Sequence, residues 1–381
     1  MPSPVHNSHL TLMKFLLVAA ARPNFMKVAP ILHAFGRRRS PNEAHAVKLV
    51  HTGQHYDRSM SDSFFVDLRI PEPDINLGIG SGSHAEQTGR VMIAFEQVCL
   101  SESPDWVIVV GDVNSTLGCS ITAKKLGIRV AHVEAGLRSR DMSMPEEINR
   151  LCTDAIADLL FTTDEMANEN LRREGVCNDK IAFVGNTMID TLLCHIGRAL
   201  NLPLPEGLTE QGYAVLTLHR PSNVDSRESL EPLFNAMQEI SESIPVVFPV
   251  HPRTRKQIEA FGLLESMSTR SDIRFVEPLS YLPFISLVSR ARLVLTDSGG
   301  IQEESTVLGI PCLTMRNNTE RPITCSMGTN ILVGTDPERI RQTAFSILNG
   351  QYRSARVPPM WDGQASERIV DKLLGSSGFT S

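Results

Sequence analysis

The chain has 381 residues, 41% hydrophobic and 21% charged, with a formal net charge of −6. At about 100–200 residues per domain this is two domains' worth of chain, and the composition excludes a disordered protein. The acidic balance argues against a nucleic-acid or anionic-membrane binder, which would carry a basic footprint, while leaving room for a local basic pocket. Seven cysteines, Cys99, Cys119, Cys152, Cys177, Cys194, Cys312 and Cys325, are scattered and form no C-x-x-C pair. That pattern suits free thiols in a reducing cytoplasm, not a disulfide frame or a zinc site.

The first apolar run, residues 10–21, ends in Ala19-Ala20-Ala21 and resembles a signal-peptide core. Its leader, residues 1–9, has no Lys or Arg, and Lys14 interrupts the run, so it reads as a buried strand over 14–21 behind a loose extension. No run reaches the roughly 18 apolar residues of a membrane span. Strand-like runs follow at 46–52, 105–110, 129–133, 159–162 and 180–184, with helical stretches such as 86–101 and 115–126 between them. A second series has strands at 213–218, 245–250, 273–276, 293–296 and 311–315, and helices at 228–243, 282–289, 301–308 and 337–348. Strand–helix alternation means parallel sheets with right-handed crossovers. The fold class expected is therefore α/β, with two doubly wound, Rossmann-like domains facing a cleft. The division is an extension over 1–13, a first domain over 14–198, a linker over 199–211 containing Pro203, Pro205 and Gly207, a second domain over 212–362, and a last helix within 363–381.

Ligands of open α/β sheets bind beyond the carboxyl ends of the strands. Here those ends carry Arg22-Pro23-Asn24, Gln54-His55, Gly111-Asp112 and Glu134-Ala135-Gly136 in the first half. In the second half they carry His219-Arg220, His251-Pro252-Arg253 and Asp297-Ser298-Gly299-Gly300. The last turn precedes a helix near Ile301. Its glycines admit a ligand to the backbone, and the helix start offers free N–H groups to a phosphate. Taken alone it is equally a helix start capped by Ser298 or Asp297. Glu304 lies one turn inside that helix, placed to accept from ribose hydroxyls, and Arg321 lies in a loop placed to reach a diphosphate. Arg22 and Lys27 flank the first turn, with Pro30 tolerated if the helix begins near Lys27. Asp112, Glu134 and Glu146 put three carboxylates on one rim. Asp112 also fits an N-cap of helix 115–126, and Glu146 a first-turn acid. His219 ends a strand. With no H-E-x-x-H and no pair of aspartates two apart, no metal site is expected.

These motifs, in this order, resemble the non-hydrolysing UDP-N-acetylglucosamine 2-epimerases over about residues 14–374. The most specific are Ala21-Arg22-Pro23-x3-Lys27, Val110-Gly111-Asp112, His132-Val133-Glu134-Ala135-Gly136-Leu137-Arg138, Pro145-Glu146-Glu147-x-Asn149-Arg150, Gly185-Asn186-Thr187, the segment 297–304 and Thr319-Glu320-Arg321-Pro322. The resemblance implies a glycosyltransferase-B-like fold whose last helix returns to the first domain. It implies acid/base roles for Asp112, Glu134 and Glu146, and a place for His219 near the departing diphosphate. Nucleotide binding falls to Arg22, Lys27, Ser298, Gly299, Gly300, Glu304 and Arg321, with Phe284 beside the uracil. The expected partners are a UDP-sugar and a second copy of the chain, as a homodimer, with no nucleic acid, membrane or cofactor. The chain departs from the family at Ala-Ala before Arg22, at Tyr56-Asp57, and at Pro-Ser-Asn after Arg220. The last two lie near the site where a second substrate molecule activates some members, and bear on that regulation rather than on the chemistry.

The chemistry implied is C2 inversion of UDP-GlcNAc to UDP-ManNAc. The C2 proton is not beside a carbonyl, so direct abstraction would be slow. Breaking the C1–O bond makes it acidic, and a carboxylate then removes it to give UDP and a 2-acetamidoglucal. Re-addition with protonation from the other face inverts C2, which requires two acid/base groups and a cationic cradle for the diphosphate. The expectation is that Asp112 takes the C2 proton and Glu134 or Glu146 serves the other face. An epimerase of a related diacetamido sugar or uronic acid, with Arg138 or Arg140 reaching a C6 carboxylate, shares these motifs. A hydrolysing relative, a glycosyltransferase of the same fold and a binding-only protein are the further alternatives.

Overall fold

In the computed structural model, the residues described are 12–20, 22–38, 45–53, 66–265, 271–352 and 354–375. The first half supplies strands β1 (Met13–Ala19), β2 (His45–His51), β3 (Ile75–Asn76), β4 (Trp106–Val110), β5 (Arg129–Ala135), β6 (Leu159–Thr162) and β7 (Ile181–Phe183). Its helices are α1 (Arg22–Arg37), α2 (His84–Glu102), α3 (Asn114–Lys125), α4 (Pro145–Ile156), α5 (Glu165–Arg173) and α6 (Thr187–Leu200). The second half supplies β8 (Ala214–Thr217), β9 (Val246–Pro249), β10 (Ile273–Val276), β11 (Leu293–Thr296), β12 (Cys312–Thr314) and β13 (Asn330–Leu332). Its helices are α7 (Pro221–Val224), α8 (Arg227–Ser241), α9 (Pro252–Ala260), α10 (Tyr281–Ser289), α11 (Gly299–Leu308), α12 (Pro322–Ser326), α13 (Pro337–Leu348) and α14 (Ala365–Gly375).

The strands pair in parallel as two sheets, β3-β2-β1-β4-β5-β6-β7 and β10-β9-β8-β11-β12-β13. Helices cover both faces of each, so central strands are apolar without alternation. All five residues of β4 and all four of β11 are buried. The sequence missed β3 and β13, which are two and three residues long at sheet edges, too short to carry a period.

Two helix starts differ from expectation. α1 begins at Arg22, not near Lys27, so Pro30 lies inside the helix. Proline cannot donate to the carbonyl four residues back. The Thr191 hydroxyl on α6 donates to that carbonyl, Met26 O, at 2.5 Å instead, so the lost bond is replaced by an inter-helix one. α11 begins at Gly299 rather than Ile301.

The two sheets are joined by shared core. One apolar cluster includes Phe15, Phe25, Ile108 and Phe161 of the first half, Tyr281, Leu282 and Ile285 of α10, and Ile369, Val370 and Leu373 of α14. α14 lies on α1, with Arg37 Nε donating to Glu367 at 2.7 Å and Arg38 to Asp371 at 2.6 Å. Asp190 of α6 accepts from the first N–H groups of α14, at Ala365 (3.0 Å) and Ser366 (2.7 Å).

Candidate active site between the two sheets

In each sheet the winding direction reverses next to its first strand, between β1 and β4 and between β8 and β11. Crevices open at such points, and here the two face each other. A cavity of about 340 Å³ between them is lined by Lys27, Asp112, Glu146 and Arg150 from the first half. From the second half come His219, Arg220, Phe284, Ser298, Gly299, Gly300, Glu304, Glu320 and Arg321. A larger hollow of about 640 Å³ lies beside α1 and α6, lined by His33, Arg69, His195 and Arg198, and contains none of the motif residues. The motif residues therefore gather at the smaller cavity, between the two sheets. The side chain of Arg22 and residues Gln54, His55, Tyr56 and Asp57 lie outside what is described.

Glu134 does not line this cavity. β5 carries an irregularity between Val133 and Ala135, and Glu134 takes φ 73° there, a left-handed conformation that a strand residue rarely adopts. The reversal swings its carboxylate beneath the cavity wall, where it pairs with Lys27 and, at 2.9 Å, with Arg321 Nη2. Burial opposes its charge, but Lys27 and Arg321 hold its carboxyl below the ordinary range. Arg321 in turn pairs with Glu303 at 2.9 Å and with Glu320. One buried guanidinium thus gathers carboxylates from both halves. Glu320 also binds Arg316 at 2.8 Å. Despite burial, Arg321, Arg316 and Arg220 keep Glu320 well below the usual range.

Asp112 and Glu146 do reach the cavity. Asp112 is not a helix cap. The N-cap position of α3 is Val113, without a side-chain bond, and Asp112 pairs with Arg150. α4 begins at Pro145, and its successive residues point about 100° apart. Glu146 accordingly faces the cavity while Glu147 faces inward. There Glu147 accepts from the Ser139 and Arg140 N–H groups at 3.0 and 2.9 Å and pairs with Arg150 at 2.7 Å. Arg150, 2% exposed, fixes Asp112 against Glu147.

The turn at 297–300 divides its work. Ser298, Gly299 and Gly300 line the cavity, and Ser298 makes no side-chain cap bond, which leaves the first N–H groups of α11 facing it. A Cβ on Gly299 would sit 2.6 Å from Arg321 Nη1 and 2.8 Å from Glu320 Oε1, so any larger residue would have to displace that ion pair. Asp297 turns away from the cavity. It is wholly buried, accepts from the N–H groups of His219 (3.0 Å) and Arg220 (2.9 Å), and pairs with His219 Nδ1 at 2.7 Å. Asp297 thus ties its turn to the opposite loop instead of capping α11, whose N-cap position is Ser298.

Inside α11, burial pushes Glu303 up to about 7 and Glu304 up to about 8. Tyr281 donates to Glu304 at 3.2 Å, and Asn186 Nδ2 to Glu303 at 2.9 Å. Among the described residues no group of three or more His, Cys, Asp or Glu is placed to hold a metal.

Residues 38–374 match the family profile of UDP-N-acetylglucosamine 2-epimerase. The chain belongs to this family. It is 42% identical to the UDP-N-acetylglucosamine 2-epimerase of Methanocaldococcus jannaschii over 365 residues, 94% of this chain and 98% of the relative. It is also 42% identical to the UDP-2,3-diacetamido-2,3-dideoxy-D-glucuronate 2-epimerase of Pseudomonas aeruginosa, covering 95% and 99% of the two chains. The M. jannaschii crystal structure in complex with UDP-GlcNAc and UDP superposes with a TM-score of 0.86 at 42% identity, over 95% of this chain and 99% of that one. The Neisseria meningitidis enzyme bound to UDP-GlcNAc gives 0.84 at 30%, over 95% and 100%.

Within this 2-epimerase framework, sequence reasoning missed Arg150, Arg220, Glu303 and Glu320 as site residues. Arg150 had a signal, the i,i+3 spacing from Glu147 on one helix, whereas the Arg316–Glu320 pair lies in a loop, where such spacing carries none. Glu303 had none. Its neighbour Glu304 carries the same charge, and only the direction of α11 separates the two.

Proposed function

We propose that this protein epimerises UDP-GlcNAc and UDP-ManNAc at C2 by eliminating and re-adding UDP. The observation that carries the reading is the interdomain cavity, with two carboxylates, Asp112 and Glu146, on one wall and the open N-terminus of α11 with His219 and Arg220 on the other. Asp112 takes the C2 proton as the C1–O bonding pair leaves on the diphosphate, and Glu146 protonates C2 from the opposite face on the return. Glu146 is preferred over Glu134 for that second role because Glu134 is walled off behind Lys27 and Arg321. The Ser298, Gly299 and Gly300 turn, Arg22, Lys27 and Arg321 hold the diphosphate, Glu304 the ribose, and Phe284 the uracil. The reading includes a cytoplasmic homodimer supplying a cell-surface polysaccharide. Among the described residues no helix is long and apolar enough to cross a membrane, and exposed Ile93 and Leu100, one heptad apart on α2, offer a face to a second copy. Light scattering of the purified protein checks the dimer.

Incubation with UDP-GlcNAc in D2O, followed by NMR, tests the reaction. UDP-ManNAc deuterated at C2 is the expected product. Free ManNAc with UDP would make the protein a hydrolase, and absence of C2 exchange would leave it a binding protein. Asp112→Asn should lower both exchange and turnover by roughly 10²–10⁴-fold. A second reading, the diacetamido uronate, is favoured by the P. aeruginosa relative. Against it, Arg138 is engaged by Glu174 at 2.6 Å and Asp154 at 2.7 Å, and Arg140 donates to Asn170 at 2.6 Å. Neither lines the cavity. Offering both UDP-sugars in competition decides between them.

A further inference from the structure

We propose that Asp297 is a positioning residue for His219: it holds the proton on Nδ1, so that Nε2 is the nitrogen presented to the departing diphosphate. The proposal rests on the epimerase reading for the ligand but on the geometry alone for the dyad. His219 Nδ1 lies 2.7 Å from Asp297 Oδ1, and the His219 side chain is 43% exposed while that of Asp297 is 0%. The carboxylate is fixed from other directions as well. The His219 and Arg220 amides donate to Oδ2 at 3.0 and 2.9 Å, and Asn223 Nδ2 does so at 3.2 Å. Asn223 also donates to Met315 O at 3.0 Å, which ties it to the strand end beyond β12.

An ionised carboxylate only accepts, so the ring nitrogen facing it carries the hydrogen. Burial works against the charge of Asp297, but His219 and the two amides keep its carboxyl below the ordinary range. The other ring nitrogen is left for the cavity, on the side where Ser298 and the α11 N-terminus lie. Asp297 would thus give His219 its direction at the moment diphosphate leaves. The other charged or titratable groups facing the ring are Arg220 on its own loop, His251 at 6.1 Å between ring centroids, Glu320 and Arg321 from the loop before α12, and Lys27, Asp112, Glu146 and Arg150 across the cavity. Of these, Arg220 also reaches Asp297, its Nε donating to the Asp297 carbonyl at 3.1 Å.

Two measurements test the dyad. Protein labelled with [15N]histidine, with His219→Asn used for assignment, reports the tautomer by long-range 1H–15N NMR without any substrate. Protonated Nδ1 with bare Nε2 at alkaline pH is expected, and the reverse tautomer overturns the proposal whether or not the protein turns over UDP-GlcNAc. Asp297→Asn should reverse the tautomer and lower kcat roughly 10²-fold with little change in KM. The kcat loss should vanish in the His219→Asn background. An equal loss there would make Asp297 merely structural and sink the idea. Should Asp297→Asn fail to fold, the wild-type tautomer decides. Wild-type turnover of UDP-GlcNAc tests the epimerase reading separately.

Discussion

Counted from its own first strand, each sheet winds in the order 3-2-1-4-5-6, and the first adds one further strand. The two rims that this shared winding creates are chemically opposite. On the first, Asp112 and Glu146 face the cavity, while the cations Lys27 and Arg150 are held by Glu134, Asp112 and Glu147. On the second, backbone N–H groups, His219 and Arg220 face it beside Glu304 and Glu320, and the buried acid Asp297 lies behind. In the proposed reaction the proton-transfer groups are on the first rim and most leaving-group contacts on the second, with Arg22 and Lys27 the exceptions. In the proposed reaction neither half is competent alone. The links across the gap, Arg321 to Glu134, Asn186 to Glu303 and Asn318 to Asp141, set the register between them.

The most disruptive way to break this division is to remove its hub. Arg321→Met removes the shared partner of Glu134, Glu303 and Glu320, leaving Glu303 without a cation, and should destabilise the protein by about 3–5 kcal/mol, measured by urea unfolding, with UDP affinity falling in parallel by calorimetry. Next in size is the second rim's backbone. Gly299→Ala pushes into Arg321 and Glu320 and should cost about 1–3 kcal/mol together with most UDP binding. Gly300→Ala sharpens the point, because its Cβ meets only the mobile end of Met188 at 3.2 Å and should be milder in both assays.

The third prediction concerns pH. Glu303 and Glu304 titrate near 7 and 8 in the fold, above their unfolded value. Between that value and the folded one the native state binds more protons than the unfolded chain. Their contribution is therefore complete at low pH and is lost as pH rises toward 8. Glu304→Gln should flatten the fall in unfolding free energy between pH 6 and 8.5, approximate limits chosen to bracket both titrations. An unchanged slope would place the titration elsewhere. The smallest effect expected is for Asn318→Ala, which removes the 3.0 Å bond to Asp141 and should cost about 0.5–1.5 kcal/mol in unfolding.

How far the sequence reached follows from range. Unbroken apolar runs such as 159–162 and 293–296, and the helical period over 337–348, depend on neighbours a few residues away, and they coincide with β6, β11 and α13. Strand-end placement is equally local, and it brought Lys27, Asp112, Glu146, His219 and Ser298 to one cavity. What each polar side chain faces is not local. Glu134 and Asp297 look alike in sequence, each an acid at a strand end. The first is swung away from the cavity by a reversed backbone angle and a partner 187 residues distant. The second is drawn to a loop 78 residues away. Pro30 is spared its usual penalty by a hydroxyl 165 residues on from Met26. The sequence by itself determined the two parallel sheets and the rim that gathers the charges, because both arise from periodicity and strand polarity. Which acids meet the ligand and which hold the cations in place was decided only by tertiary structure, because ion pairs in a buried site are set by distance in space, not along the chain.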